Sequence, residues 1–173
     1  MAEEREVDHR DAKLAKLTLD GAEVKQSSWV GATLGDVDGD RLSLTDARFR
    51  EAEFEDVSFE RLRLHDATFA EASLEDLSFE RVTLHDATFA GASLTDVAFD
   101  GARLSDVSFV GAKIDDANLD ELDLRDASLK GAKLKDVDLT GATLDGCNIE
   151  GLTIDGVRID ELLAAQRSAE QDS

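Results

Sequence analysis

Every fifth residue from Leu19 to Ile159 is Leu, Ile, Val, Phe or Trp, and Gly39 is the one exception. Two positions before each stands a second series: Leu17, Ala22, Ser27, Ala32, Val37, Leu42, and on to Cys147, Leu152, Val157 and Leu162. A helix repeats its faces every 3.6 residues and a strand every two. A period of five therefore requires the chain to turn a corner every five residues. Two inward positions, two apart, form a short strand with both side chains on one face. Polar residues fill the slots between.

A longer period lies on top of the first, and fixed periods of this kind mark repeat architectures. The segment FERLRLHDATFAEASLEDL, beginning at Phe59, returns at Phe79 as FERVTLHDATFAGASLTDV. Four five-residue sides make one coil of twenty. Equivalent residues then stack from coil to coil. Phe49, Phe69, Phe89 and Phe109 form one inner ladder, continued by Leu129 and Ile149. Leu44, Leu64, Leu84, Leu104, Leu124 and Leu144 form another.

The units DATFA, GASLT, DANLD, GAKLK and GATLD resemble the pentapeptide-repeat consensus A(D/N)LXX, with Ala small and inward and Leu or Phe central. The resemblance runs over residues 17–161 without insertion. It implies an all-β fold, a right-handed quadrilateral parallel β-helix of about seven coils, roughly 35 Å long at strand spacing. Ser27 and Gly39 depart from the pattern, and the missing side chain at Gly39 predicts a dent or bulge in the second coil. Residues 1–16 read as a polar N-terminal segment and cap. Residues 162–173 read as a C-terminal cap helix and tail. Asp160 is placed to cap that helix, with Leu162 and Leu163 covering the last coil.

Composition narrows the picture. Proline is absent, so every backbone N–H is available to the coil-to-coil ladder. The single cysteine, Cys147, falls on an inward slot and reads as a buried thiol acting as a small hydrophobe. One thiol forms no internal disulfide, and the first residues lack the apolar core of a signal peptide, so a cytoplasmic protein is expected. No apolar run reaches membrane-spanning length, and no membrane partner is expected.

The formal net charge is −21, of which residues 17–161, with 33 acidic and 14 basic side chains, carry −19, roughly one net charge per 1.8 Å of rod, against about one per 1.7 Å for duplex DNA. The charges are not spread evenly. Let the first wall be the one containing Phe49 and Phe69. Its outward slots are nearly uncharged, with Thr68, Ala70, Thr88, Ala90 and Val110. The second wall mixes Glu53, Glu55, Glu75 and Asp115 with Lys113, Lys133 and Lys135. The third wall carries Asp40, Glu60, Glu80, Asp100 and Asp120, and the corner leading into it carries Asp56, Asp76, Asp96 and Asp116. Corners select Asp for its local hydrogen bonding, which explains the corner column. It does not explain the wall column, where stacked like charges repel. These nine carboxylates are the candidate partner-binding residues.

The resemblance extends to function. Pentapeptide-repeat proteins include quinolone-resistance proteins that bind DNA gyrase or topoisomerase IV by presenting an acidic rod in place of the duplex. It implies a non-enzymatic, protein-binding rod with a DNA-like acidic face, whose partner is a type II topoisomerase. Pairing of two copies through their C-terminal ends also occurs in that family. The alternative is a structural or interaction scaffold for another protein, using the flat first wall. Direct nucleic-acid binding is excluded by the sign of the charge. No catalytic set, phosphate loop or cofactor motif is present, so no enzyme activity and no cofactor are expected. His65 and His85, each followed by Asp, stack on adjacent coils, but a repeat duplicates surface residues on a convex wall. No metal is expected there.

Overall fold

The computed structural model describes residues 7–21 and 23–171. Residues 1–6 of the expected N-terminal segment lie outside the described residues, as do Ala22 and the side chains of Leu17 and Leu19. The chain winds as a four-walled parallel β-solenoid. Partners lie one coil apart throughout: Trp29↔Phe49 on the first wall, Leu34↔Phe54 on the second, Gly39↔Phe59 on the third and Leu44↔Leu64 on the fourth. The first wall begins with Val7–Arg10, Ser27–Val30, Arg48–Arg50 and Thr68–Ala70 and continues through single bridges to Asn148. Thr33–Asp40, Glu53–Glu60 and Ser73–Glu80 each run unbroken round the corner from the second wall into the third. The fourth wall is a seven-stranded sheet, from Glu23–Lys25 to Thr143–Asp145.

Corners are made by left-handed residues. Asp36, Asp56, Asp76, Asp96, Asp116 and Asp136 all have φ between 50° and 54°, a region that Asp, Asn and Gly tolerate better than other residues. Backbone shape thus accounts for the corner column. The corner amides are satisfied by the next coil, as in Asp46 N–H to the His65 carbonyl at 3.1 Å and Glu51 N–H to that of Ala70 at 3.1 Å.

Halfway along, the corners change. From Phe89 onward, tight turns close with i→i+3 bonds, such as Ala112 N–H to the Phe109 carbonyl at 3.0 Å and Ala142 N–H to that of Leu139 at 3.0 Å. Their third residues, Gly111 and Gly141, have φ of 66° and 69°, which a type II turn demands at that position. At the corner leaving the third wall, Arg41, Arg61 and Arg81 give way to Gly101, Glu121 and Gly141. The change of turn therefore also removes a column of cations.

The core is a stack of flat layers. Ala47, Ala52, Ala102 and Ala132 are fully buried at the inward slots beside the central side chains, and Val57 and Leu62 fill equivalent slots at 1% exposure. Phe49, Phe69, Phe89 and Phe109 stack with centroids 4.8–5.1 Å apart. Phe59, Phe79 and Phe99 form a second stack. The expected dent at Gly39 is absent. The Phe59 ring fills the space, its Cδ1 only 2.9 Å from where a Cβ on Gly39 would sit. Ser27 is buried in an Ala slot, and its Oγ has no hydrogen-bond partner. Ser27→Ala is expected to raise stability by about 1 kcal/mol, since it removes an unsatisfied buried hydroxyl; urea denaturation measures it.

The C-terminal end departs from expectation. Thr153–Ile154 turns back as an antiparallel hairpin onto Val157–Arg158. Its two loop residues, Asp155 and Gly156, both have positive φ, the signature of a type I′ turn. A helix, Ile159–Gln171, follows. Asp160 lies inside its first turn and ties it back to the rod, accepting hydrogen bonds from the Gly151 amide at 2.9 Å and from Arg158 Nη2 at 2.7 Å. Leu162 and Leu163 do not cover the last coil. They are 56% and 36% exposed, and the inward-series Leu144 is 43% exposed. Cys147 is half-buried for the same reason, with Sγ 3.4 Å from the Asp145 carbonyl oxygen. Partial burial pushes its thiol pKa up.

The bonds from Arg158 and the Gly151 amide hold the Asp160 carboxyl far below the usual carboxylate range. A depressed folded-state pKa adds stability above the unfolded value of about 3.9, and that stability is lost as pH falls below it. The helix is expected to loosen below about pH 4. Asp160→Asn is expected to loosen it at neutral pH and to remove that acid step. Circular dichroism at 222 nm across the pH range reads both.

Candidate functional site

The third wall brings the predicted carboxylates into one column. Asp40 pairs in register with Glu60, and Glu60 with Glu80. The ladder continues through the Arg81 amide to the Asp100 carbonyl and the Gly101 amide to that of Asp120. Asp56, Asp76, Asp96 and Asp116 occupy the corner beside it, all left-handed. The strand geometry that sets the coil repeat also sets the column, about 4.8 Å per step.

The column is electrostatically divided. Arg61 grips Asp40 with two hydrogen bonds, Nε to Oδ1 at 2.9 Å and Nη2 to Oδ2 at 2.6 Å. These bonds hold the Asp40 carboxyl below the usual carboxylate range and raise the Arg61 pKa. Arg81 pairs with Glu60 and, at 2.9 Å, with Glu80. Arg41 lies 3.5 Å from Asp40. Asp100 and Asp120 pair with no basic side chain among the described residues, and neither do Asp56, Asp76, Asp96 and Asp116. The C-terminal half of the wall therefore holds its charge uncompensated. Glu121 and Asp138 stand there too, outside the nine. Glu121 stands at the corner that Arg41, Arg61 and Arg81 occupy earlier, with φ 54°. Asp138 accepts hydrogen bonds from the Thr140 amide and hydroxyl, which lower its pKa. Sorting the corner residues by coil position would have found Glu121.

The other walls differ in kind. The first is flat and weakly charged, with Val110 40% exposed. On the second, Lys135 bridges Asp115 at 3.2 Å and Asp136 at 2.7 Å, and both raise its pKa. Two groups of side chains are close enough to share a metal ion: Asp115, Asp116 and Asp136, and on the fourth wall His65, His85 and Asp86. Among the described residues, no helix is long and apolar enough to cross a membrane.

Eight copies of the pentapeptide repeat match residues 47–86, and the pentapeptide-repeat region model matches residues 82–159. Together these span well over half the chain. The chain belongs to the pentapeptide-repeat family. Solved pentapeptide-repeat structures resemble it along nearly their whole length. HetL, involved in heterocyst differentiation regulation in the cyanobacterium Nostoc sp. strain PCC 7120, is 19% identical, with 87% of this chain and 90% of that one covered, at a TM-score of 0.36. Full-length QnrB1, a plasmid-mediated fluoroquinolone resistance protein, is 12% identical, with 92% and 99% covered, at a TM-score of 0.47. No curated protein matches the chain. Likenesses this distant give a pentapeptide-repeat protein no activity, and its function rests on its own surface.

Proposed function

We propose that this pentapeptide-repeat protein is a non-enzymatic, cytoplasmic, protein-binding rod whose acidic third wall stands in for duplex DNA in the groove of a type II topoisomerase such as gyrase. The observation that carries the reading is the in-register column Asp40–Glu60–Glu80, continued by Asp100 and Asp120. A groove built to neutralise phosphates attracts any rigid rod of similar charge spacing. Asp56, Asp76, Asp96 and Asp116 flank the column and broaden the negative strip. The pairing of Asp40, Glu60 and Glu80 with Arg61 and Arg81 concentrates the effective charge toward Asp100 and Asp120. The test is DNA supercoiling by gyrase with and without the protein, at two salt concentrations and with a quinolone. Inhibition or drug protection that fades as salt rises supports the reading. No effect on supercoiling or on drug-stabilised cleavage moves the assignment to the second reading.

That second reading is a scaffold for another protein, docked on the first wall. Exposed Val110 on a weakly charged face favours it, and such docking would be nearly insensitive to salt.

Two copies are proposed to meet through their C-terminal ends. Leu144, Val157, Leu162 and Leu163 are exposed there together with the open last coil. Sedimentation is expected to show a concentration-dependent dimer that Leu144→Glu with Leu162→Glu converts to monomer. A wild-type monomer at high concentration would rule the dimer out.

A further inference from the structure

We propose that His65, His85 and Asp86 form a binding site for a divalent transition metal of the zinc, nickel or copper class, clamping two adjacent coils of the fourth wall. The sequence pattern alone gives only a duplicated His-Asp pair on a convex surface. The structure adds orientation. His65 and His85 are register partners in a parallel ladder, following the pairs Arg63↔Thr83 and Leu64↔Leu84 in the strand. Their rings stack 5.2 Å apart at an interplanar angle of 9°.

The next coil holds His85 in place. Its Nδ1 lies 2.8 Å from Ser105 Oγ and 3.5 Å from Asp106 Oδ2. Metal-binding imidazoles are oriented in this way, with one ring nitrogen engaged so that the other presents its lone pair. With Nδ1 as the donor, the Nε2 lone pair faces Asp86 Oδ2 at 3.1 Å. A neutral imidazole has one donor and one acceptor, so this tautomer aims the Nε2 lone pair at the carboxylate and leaves room for a cation between them, whereas without a metal Nε2–H donates to Asp86 and the Ser105 hydroxyl donates to Nδ1. His65 presents Nε2 3.2 Å from Asp66 Oδ2.

The candidate ligand atoms of His65, His85 and Asp86 all lie within 4.8 Å of one another. Metal–nitrogen bonds of about 2.0–2.1 Å require them to close by about an ångström, which exposed side chains achieve by rotation without moving the backbone. Two nitrogens and one oxygen suit zinc, nickel and copper better than calcium or magnesium. Three protein ligands leave a position for water. Copying of the repeat explains why the His-Asp pair occurs twice. It does not place Ser105 Oγ 2.8 Å from His85 Nδ1, in a column that reads Thr45, His65, His85 and Ser105.

The experiment is zinc titration of the full chain by calorimetry, paired with the absorption spectrum of the cobalt-loaded protein and with thermal melts. One zinc per chain is expected, with a rise in melting temperature and tetrahedral cobalt bands. His65→Ala and His85→Ala are each expected to weaken binding by more than tenfold. Ser105→Ala is expected to weaken it about tenfold, because it frees the ring. His9→Ala, in a different sheet, is expected to change nothing. His65 and His85 are exposed and Ser105 is half-buried, and far-UV circular dichroism checks that each variant folds. Binding that survives both histidine changes, uptake of many ions without saturation, or no binding at all overturns the site and leaves only carboxylates attracting counterions.

Discussion

Phe89→Ala is expected to cost about 3–5 kcal/mol of unfolding free energy, the range for removing a large buried aromatic. Phe89 is fully buried in the middle of its ladder. Its ring lies 4.8 Å from Phe69 at 2° and 5.1 Å from Phe109 at 10°. Truncation empties a layer that rigid neighbours cannot collapse into, because their spacing is fixed by the backbone ladder. It also removes two stacked contacts, each worth about 0.5–1.5 kcal/mol beyond area burial. In a solenoid each coil is stabilised mainly by its neighbours, so a break in the middle uncouples the two ends. Urea denaturation is expected to show a lower midpoint and, if uncoupling is complete, two transitions. Phe89→Leu is expected to recover most of the loss, because the same ladder accepts Leu129 two coils further on, 3% exposed. A Phe89→Ala loss under about 1 kcal/mol would mean that the ladder is not packed as described.

The ladders were legible in the sequence because burial is imposed by the period. A residue one position out of register points outward, so Ala47, Leu64 and Phe79 had only one place to go. The Asp36–Asp136 corner column was also legible, since few residues accept positive φ. Other features were hidden for physical reasons. Gly39 read as a gap because its neighbour along the chain is visible, whereas Phe59, twenty residues away, fills the space. Asp155-Gly156 is a hairpin signal, but it sits inside an unbroken five-residue register that masked it. The exposure of Leu162 depends on where the helix leaves the hairpin, which no period encodes. The orientation of His85 by Ser105 needs both the coil pairing and the side-chain rotamer.

The five wall carboxylates Asp40, Glu60, Glu80, Asp100 and Asp120 share one repeat slot in sequence and are unequal in structure, which predicts an asymmetric response to their removal. Asp100→Asn with Asp120→Asn is expected to weaken binding to gyrase about tenfold at low salt, as two uncompensated charges are lost from the face offered to the groove. Asp40→Asn is expected to weaken it by only about threefold, because it removes one charge and not two while releasing the Arg61 guanidinium that now grips that carboxylate. Arg81→Gln is expected to act in the opposite direction and tighten binding, since it frees Glu60 and Glu80. Between exposed charges about 4 Å apart the interaction is worth about 1 kcal/mol in water and more in a partly desolvated groove. All three effects are expected to shrink together as salt shortens the screening length. Equilibrium binding to the isolated enzyme at two ionic strengths separates these outcomes. Equal losses for Asp40→Asn and for Asp100→Asn with Asp120→Asn would mean that net charge along the wall does not govern recognition. Losses that persist at high salt would point to contacts of shape, and to a partner that reads the rod by its flat walls.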